Sequence, residues 1–341
     1  MIDLRSDTVT VPTPSMKKAM SAAKVGDDVY GSDPTVNELE AQSAKKLGFE
    51  AALYAASGTQ TNLIALLTHC QRGDEYIVGQ QAHTYKYEAG GAAVLGSIQP
   101  QPIDAREDGT LALENIEAAI KPDDPHFART RLLAIENTFH GRPLPMDYLP
   151  AARELADSKG LILHLDGARI FNAAVHHGVD VREISRHFDS VSVCLSKGLC
   201  APVGSVLCGS GEFIHQARRW RKMLGGGMRQ AGYIAAAGVV ALDENVDRLQ
   251  FDHDHARALF EGLRDIDELH MTEDSVQTNM VFLPCGKRVA TELAAFLDSK
   301  KILISIGETV RLVLHKDVDI CLLYTSPSPR DQRGSRMPSS A

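Results

Sequence analysis

From residue 36 to 315, stretches with apolar residues three or four apart alternate with short, nearly all-apolar runs. This is the pattern of helices interleaved with the strands of a mostly parallel sheet covered on both faces. The runs Leu132–Ile135, Leu161–Leu165, Val191–Leu195 and Ser205–Cys208 predict strands. Helices are predicted over Val36–Lys46, Thr59–His69, Pro150–Ser158 and Gly211–Met223, with two longer ones beginning near Met228 and Val246. After about residue 250 the order becomes helix, strand Asn279–Leu283, helix Arg288–Leu297, then short strands Ile302–Ile306 and Val310–His315. The expectation is an α/β protein: an N-terminal arm over 1–25, a large domain over 26–249 and a small α+β domain over 250–320.

The last stretch, 321–341, is rich in Ser, Pro and Arg and has almost nothing apolar after Tyr324. Its low-complexity composition is foreign to the chain before it and predicts disorder, and it is set apart as non-native sequence. It begins where the strand at Val310–His315 would lead into a closing helix after Asp319, whose absence is expected to weaken the small domain. The 341 residues are 44% hydrophobic and 23% charged, and 36 basic against 44 acidic side chains give a net charge of −8. That balance argues against nucleic acid or an anionic membrane as the partner. The opening MIDLRSDTVTVP carries Asp3, Arg5 and Asp7 where a secretory signal needs an apolar run, and no later run is long enough to span a membrane. The six cysteines show no C-x-x-C and no regular spacing, so they are read as free thiols in a reducing, cytoplasmic setting.

Several chemistries lack their motifs. There is no G-x-x-x-x-G-K-[ST] and no H-E-x-x-H, and Gly209-Ser210-Gly211 has no third glycine to complete a dinucleotide fingerprint. No metal site is expected. The positive signals are three. Ser57-Gly58-Thr59-Gln60 opens an apolar helix, where orphan N–H groups and the helix dipole favour an anion, although an ordinary N-cap has the same look. Asp166 directly follows an apolar strand, where open α/β sheets place their ligand crevices, although a helix cap would also suit it. Lys197 closes the next apolar strand and is costly there unless paired, solvated or covalently used; a snorkelling surface lysine is the alternative. Together they match the needs of pyridoxal phosphate: a phosphate cup, a partner for the ring nitrogen and an amine.

The segments LRSDTVT, GDDVYGSDPTVNELE (26–40), SGTQTN (57–62), LHLDGARIFNA (163–173), SKGLCAPVGS (196–205) and WRKMLGGGMRQ (220–230) carry a wider likeness. Over about residues 1–320 the chain resembles the low-specificity L-threonine aldolases, pyridoxal-phosphate enzymes of fold type I. The resemblance implies an aspartate-aminotransferase-like large domain and cleavage of L-threonine or L-allo-threonine to glycine and acetaldehyde. It implies that Lys197 is the Schiff-base lysine, that Asp166 pairs with the ring nitrogen, and that Gly58 and Thr59 hold the phosphate. His83 would stack on the cofactor ring. Arg169 would reach the cofactor and, with Arg311 and Ser6, the substrate carboxylate. Tyr30, Lys222 and Arg229 would approach from a neighbouring subunit of a homo-oligomer whose site is built at a dimer interface, two dimers making a tetramer. The acceptor of the β-hydroxyl proton stays open among His83, His126 and a bound water. An aminotransferase, a β-eliminating lyase and a non-catalytic cofactor-binding homologue are the competing readings. Cys200 stands where the family usually shows a smaller residue, often Gly, and Phe139 where a polar one is common.

Overall fold

The protein is described from a computed structural model covering residues 1–319; the segment 321–341 expected to be disordered lies outside the described residues. In chain order the strands are β1 (Ile2–Asp3), β2 (Ala51–Ala55), β3 (Asp74–Gly79), β4 (Gln99–Ile103), β5 (Arg129–Glu136), β6 (Ile162–Asp166), β7 (Ser190–Cys194) and β8 (Ser205–Gly209). Four short strands follow: β9 (Val276–Gln277), β10 (Met280–Leu283), β11 (Ile302–Leu303) and β12 (Val310–Val313).

A central sheet of seven strands has the order β2-β8-β7-β6-β5-β3-β4. It is parallel except at β8, which runs antiparallel to both of its neighbours. The reversal follows from chain length: only residues 195–204 separate β7 from β8, and a parallel crossover needs a dozen or more. The fold class read from the sequence is the fold observed; β5 and β8 contain the runs that predicted them, and β6 and β7 match theirs to within one residue at each end. Strands β2, β3 and β4 were not foreseen. β4 reads QPQPI and lies at the sheet edge, the place where proline's missing N–H costs no ladder bond.

The helices follow their predicted periodicity with ends set by local caps. Pro34–Leu47 starts at Asp33, whose carboxylate accepts from the amides of Thr35 and Val36, and ends at Gly48 with φ 77°. Gly211–Met223 starts at Ser210, whose hydroxyl accepts from the Phe213 amide. The two long helices begin later than expected, at Gly232 and Leu249, because residues 225–231 form a loop before the first and residues 246–248 a turn before the second.

One apolar core fills the space between the sheet and its helices, with Leu39, Leu165, Ile170, Leu195 and Leu249 fully enclosed. A second, around Phe260, Val281, Ala290 and Leu312, lies under β9, β10 and β12, an antiparallel sheet of order β12-β10-β9. Leu4 packs into this second core, and β1 pairs in parallel with β11. The N-terminal arm is thus tied to the C-terminal part of the chain. The strand expected over Ile302–Ile306 is correspondingly short, because only Ile302 and Leu303 face β1.

Candidate active site

The carboxyl ends of β5, β6 and β7 lie along one edge of the sheet, and β2 runs parallel to them across the reversed β8. The chain leaving β2 turns at Ser57 into the helix Gly58–His69, the Ser57 hydroxyl accepting from the Gln60 amide at 3.2 Å. That cap leaves the amides of Gly58 and Thr59 in the first turn, where no intrahelical carbonyl can reach them. A Cβ on Gly58 would sit 2.6 Å from the Cys194 sulfur, so glycine alone allows the helix end to come this close to β7.

Asp166 is the last residue of β6 and stands opposite Glu136 in the β5–β6 ladder. The Asp166 carboxylate accepts from the Ala168 amide at 3.1 Å and from Asn62 Nδ2 at 2.9 Å. The same Asn62 nitrogen lies 2.9 Å from Glu88 Oε1, which also lies 2.8 Å from His83 Nδ1. One atom each from His83, Glu88 and Asp166 falls within 4.8 Å of the others. The Glu88 hydrogen bond lifts the His83 imidazole above its ordinary value, against burial and with help from Asp166. Burial and the neighbouring Asp166 push Glu136 up to about 7, opposed by the His83 backbone amide, which donates to Glu136 Oε2 at 2.8 Å.

Lys197 lies three residues beyond β7, half-buried, and its backbone carbonyl accepts from Thr10 Oγ1 at 2.9 Å. Its charge acts on Asp7, His83, Glu136 and Cys194, which places its amine among them. Arg169 does not sit on the protein exterior as a bare helix charge: its Nε and Nη2 donate to the two oxygens of Asp7 at 2.8 and 2.6 Å. Asp7 is fully buried. Arg311, on β12, stands close enough for its charge to act on Asp7 and Arg169, and its Nη2 reaches the Arg5 carbonyl at 3.5 Å. Ser6 precedes Asp7, its hydroxyl accepting from the Thr8 amide and hydroxyl.

The structure therefore brings Ser6, Gly58, Thr59, His83, Asp166, Arg169, Lys197 and Arg311 to one edge of the sheet. Four other candidates are elsewhere within the chain. His126 precedes β5, at the end of that strand opposite to Glu136, about 25 Å away for an eight-residue strand. It is exposed and bonded to Asp124 at 2.6 Å. Tyr30, Lys222 and Arg229 share an exposed patch: Arg229 pairs with Asp27 at 3.0 Å, its carbonyl accepts from the Asp28 amide, Tyr30 is 82% exposed, and the exposed Lys222 side chain lies with Val29 against Gly227. The sequence reading missed Asp7, Asn62, Glu88 and Glu136. His164, two residues before Asp166 and so on the same face of β6, was a legible signal for a polar layer there.

The Asp166 carboxylate held by donors, an open helix N-terminus that Gly58 lets approach Cys194 on β7, and a lysine amine beside them fit pyridoxal phosphate. Fold and site together define a pyridoxal-phosphate enzyme of fold type I, with an aspartate-aminotransferase-like sheet. The family model described as beta-eliminating lyase matches residues 3–285. The low specificity L-threonine aldolase of Escherichia coli K12 is 56% identical over 318 residues, 93% of this chain and 95% of that protein. Low-specificity L-threonine aldolase 1 of Arabidopsis thaliana is 46% identical over 330 residues, 93% of this chain and 92% of its own length. Among solved structures, the threonine aldolase of Leishmania major superposes with a TM-score of 0.81 at 20% identity, over 95% of this chain and 97% of that one, a likeness of fold. The chain belongs to the beta-eliminating lyase family and, within it, to the low-specificity L-threonine aldolases.

Proposed function

We propose that this chain cleaves L-threonine and L-allo-threonine reversibly to glycine and acetaldehyde with pyridoxal 5'-phosphate as cofactor. The observation that carries the reading is the convergence of Asp166, Lys197 and the Gly58–Thr59 helix end with the arginine pair Arg169 and Arg311, in a chain 56% identical to a threonine aldolase.

When bound, the cofactor supplies an electron sink for the pair released as the Cα–Cβ bond breaks. Every other part belongs to the chain. Lys197 provides the amine that tethers the cofactor, Gly58 and Thr59 hold its phosphate with backbone donors, and Asp166 keeps the proton on its ring nitrogen. His83 would face the ring of the bound cofactor and is the side chain assigned to accept the β-hydroxyl proton; His126 is too far along β5 to share that task within one subunit. Arg169, Arg311 and Ser6 grip the substrate carboxylate. That grip would orient the substrate so that the Cα–Cβ bond, and not the bond to the carboxylate, is aligned for cleavage, favouring aldol cleavage over decarboxylation.

The arm over 1–25, a large domain over 26–249 and a small domain over 250–320 supply these parts. Tyr30, Lys222 and Arg229 are assigned to the site of a second copy, in a cytoplasmic homo-oligomer built from dimers and most simply a tetramer. Their shared exposed patch supports this.

The test is acetaldehyde release from L-threonine by the purified chain, together with the visible absorbance of the bound cofactor. Wild type gives both, and Lys197→Ala gives neither. Pyruvate or another keto acid in place of glycine and acetaldehyde would replace this reading with β-elimination or transamination. Cofactor absorbance unaltered in Lys197→Ala would remove the lysine assignment.

A further inference from the structure

With Glu88 as a carboxylate, the polar layer behind His83 admits one assignment of its hydrogens. Asn62 Nδ2 lies 2.9 Å from Glu88 Oε1 and 2.9 Å from Asp166 Oδ2. Carboxylate oxygens accept, so both contacts use the two N–H bonds of the amide and its Oδ1 is left as an acceptor. That oxygen faces His164 Nε2 at 3.3 Å, which therefore carries the His164 hydrogen. His164 Nδ1 must then accept from the Ser190 hydroxyl at 2.8 Å, and the Ser190 oxygen accepts in turn from His69 Nε2 at 2.8 Å. His164 and Ser190 are fully buried and Asn62 is nearly so. Burial pushes both histidines down to about 3, so each is neutral and holds a single ring hydrogen.

All these hydrogens point the same way, from His69 through Ser190, His164 and Asn62 to the two carboxylates. Glu88 Oε1 is thus an acceptor on its Asn62 side. Burial and the neighbouring Asp166 push the Glu88 carboxyl up, opposed by its hydrogen bonds to His83 and Asn62; with Glu88 as a carboxylate, its remaining contact, His83 Nδ1 at 2.8 Å, pairs properly only if that nitrogen carries a hydrogen.

We propose that Glu88 is a positioning residue: anchored by Asn62, it fixes His83 with its hydrogen on Nδ1 and leaves Nε2 as the bare, proton-accepting nitrogen of the site. The role given to Nε2 rests on the reading of His83 under the proposed function; the tautomer does not. The groups facing His83 come from four places. Glu88 follows its own short helix, Glu136 ends β5 and binds the His83 backbone amide, Asp166 ends β6, and Lys197 follows β7. The Tyr87 ring lies 5.8 Å from the imidazole. Among the described residues only Glu88 is hydrogen-bonded to the ring itself.

A base must be neutral to accept a proton, and Glu88 stabilises the protonated ring. Removing its charge therefore lowers the pH at which His83 becomes competent. Histidine-selective ¹⁵N spectra of the full chain, with and without pyridoxal phosphate, read the tautomer directly, with His83→Gln identifying the signals. The expected result is a protonated Nδ1 and a bare Nε2 in wild type. In Glu88→Gln a mixture of tautomers is expected, with the acidic limb of kcat/KM displaced downward by about one pH unit, and Glu88→Asp should restore the limb in part. A bare Nδ1 in wild type overturns the proposal, as does a folded Glu88→Gln protein with the wild-type tautomer and limb. The wild-type spectrum decides even if the glutamine variant does not fold. A chain that shows the Nδ1–H tautomer but releases no acetaldehyde supports the Glu88 assignment and overturns the reaction reading instead.

Discussion

Asp7 and Arg169 form an ion pair closed off from solvent, the carboxylate fully buried and the guanidinium side chain 14% exposed. Burial alone would raise the Asp7 carboxyl, but Arg169 outweighs it and, with Lys197 and Arg311 adding, holds the group well below the usual carboxylate range. A carboxyl depressed in the folded state contributes stability that is complete above its unfolded value of about 3.9 and is lost only as pH falls through the folded one. Asp7→Ala should therefore destabilise the chain by about 3–5 kcal/mol, because it strands a buried cation. Urea midpoints should show that loss undiminished from pH 8 to 5. The same residue scale explains Cys200. Its φ of 67° lies in the left-handed region, where a Cβ is strained and glycine is not, the physical reason why a glycine suits this turn after Lys197.

Between elements, the chain of bonds from His69 on the helix Gly58–His69, through Ser190 on β7, to His164 on β6 ties a helix to two central strands. Both histidines have folded values pushed down to about 3 by burial. Below the unfolded histidine value of about 6.5 the unfolded chain binds protons that the native one refuses, so stability falls as pH drops toward 3. The slope should reach ~1.4 kcal/mol per pH unit for each histidine. A flat profile of urea midpoints between pH 7 and 5 would contradict neutral buried rings. At the other end of the same helix, Gly58→Ala places a methyl 2.6 Å from Cys194 Sγ. The helix end must shift to relieve it, and titration with pyridoxal phosphate should show affinity weakened by at least about tenfold, ~1.4 kcal/mol.

Across the whole molecule, the first ten residues connect what the two cores would otherwise leave separate. Leu4 packs in the second core, Asp7 holds Arg169 beside the central sheet, and Thr10 binds the Lys197 carbonyl. The His315 ring reaches the Asp3 carbonyl at 2.7 Å and Asp317 accepts from the Val11 amide at 3.0 Å. Deleting residues 1–10 removes Asp7 and Ser6 together, so it should cost at least the stability lost in Asp7→Ala and lower kcat/KM for L-threonine by roughly a hundredfold or more, since misplacing the carboxylate grip by an ångström costs that much. Circular dichroism on the same sample separates lost positioning from lost fold. No described helix is long and apolar enough to cross a membrane. The exposed Tyr30 and its neighbours Lys222 and Arg229 mark the face on which the proposed assembly is tested: light scattering should report a multiple of the 37.0 kDa chain.

The amino-acid pattern by itself determined the alternation of helices with buried strands, because period and apolarity are local properties. It also marked Asp166, Lys197 and the Ser57–Thr59 turn, because each sits at the end of a strongly apolar run where polarity is conspicuous. The three strands of the central sheet that it missed have reasons that lie outside their own residues. β2 and β3 carry small or polar residues that only their neighbours bury, and the prolines of β4 are tolerated only because that strand is the edge. Only the tertiary structure decided that Asp7 meets Arg169 across 162 positions and that Asn62 meets Asp166 across 104. A polar side chain in a short stretch of sequence carries no mark of its partner. The requirement that every buried donor find an acceptor acts on the folded molecule, and it is this requirement that turned scattered Asn, His, Ser and Glu residues into one directed layer behind the site.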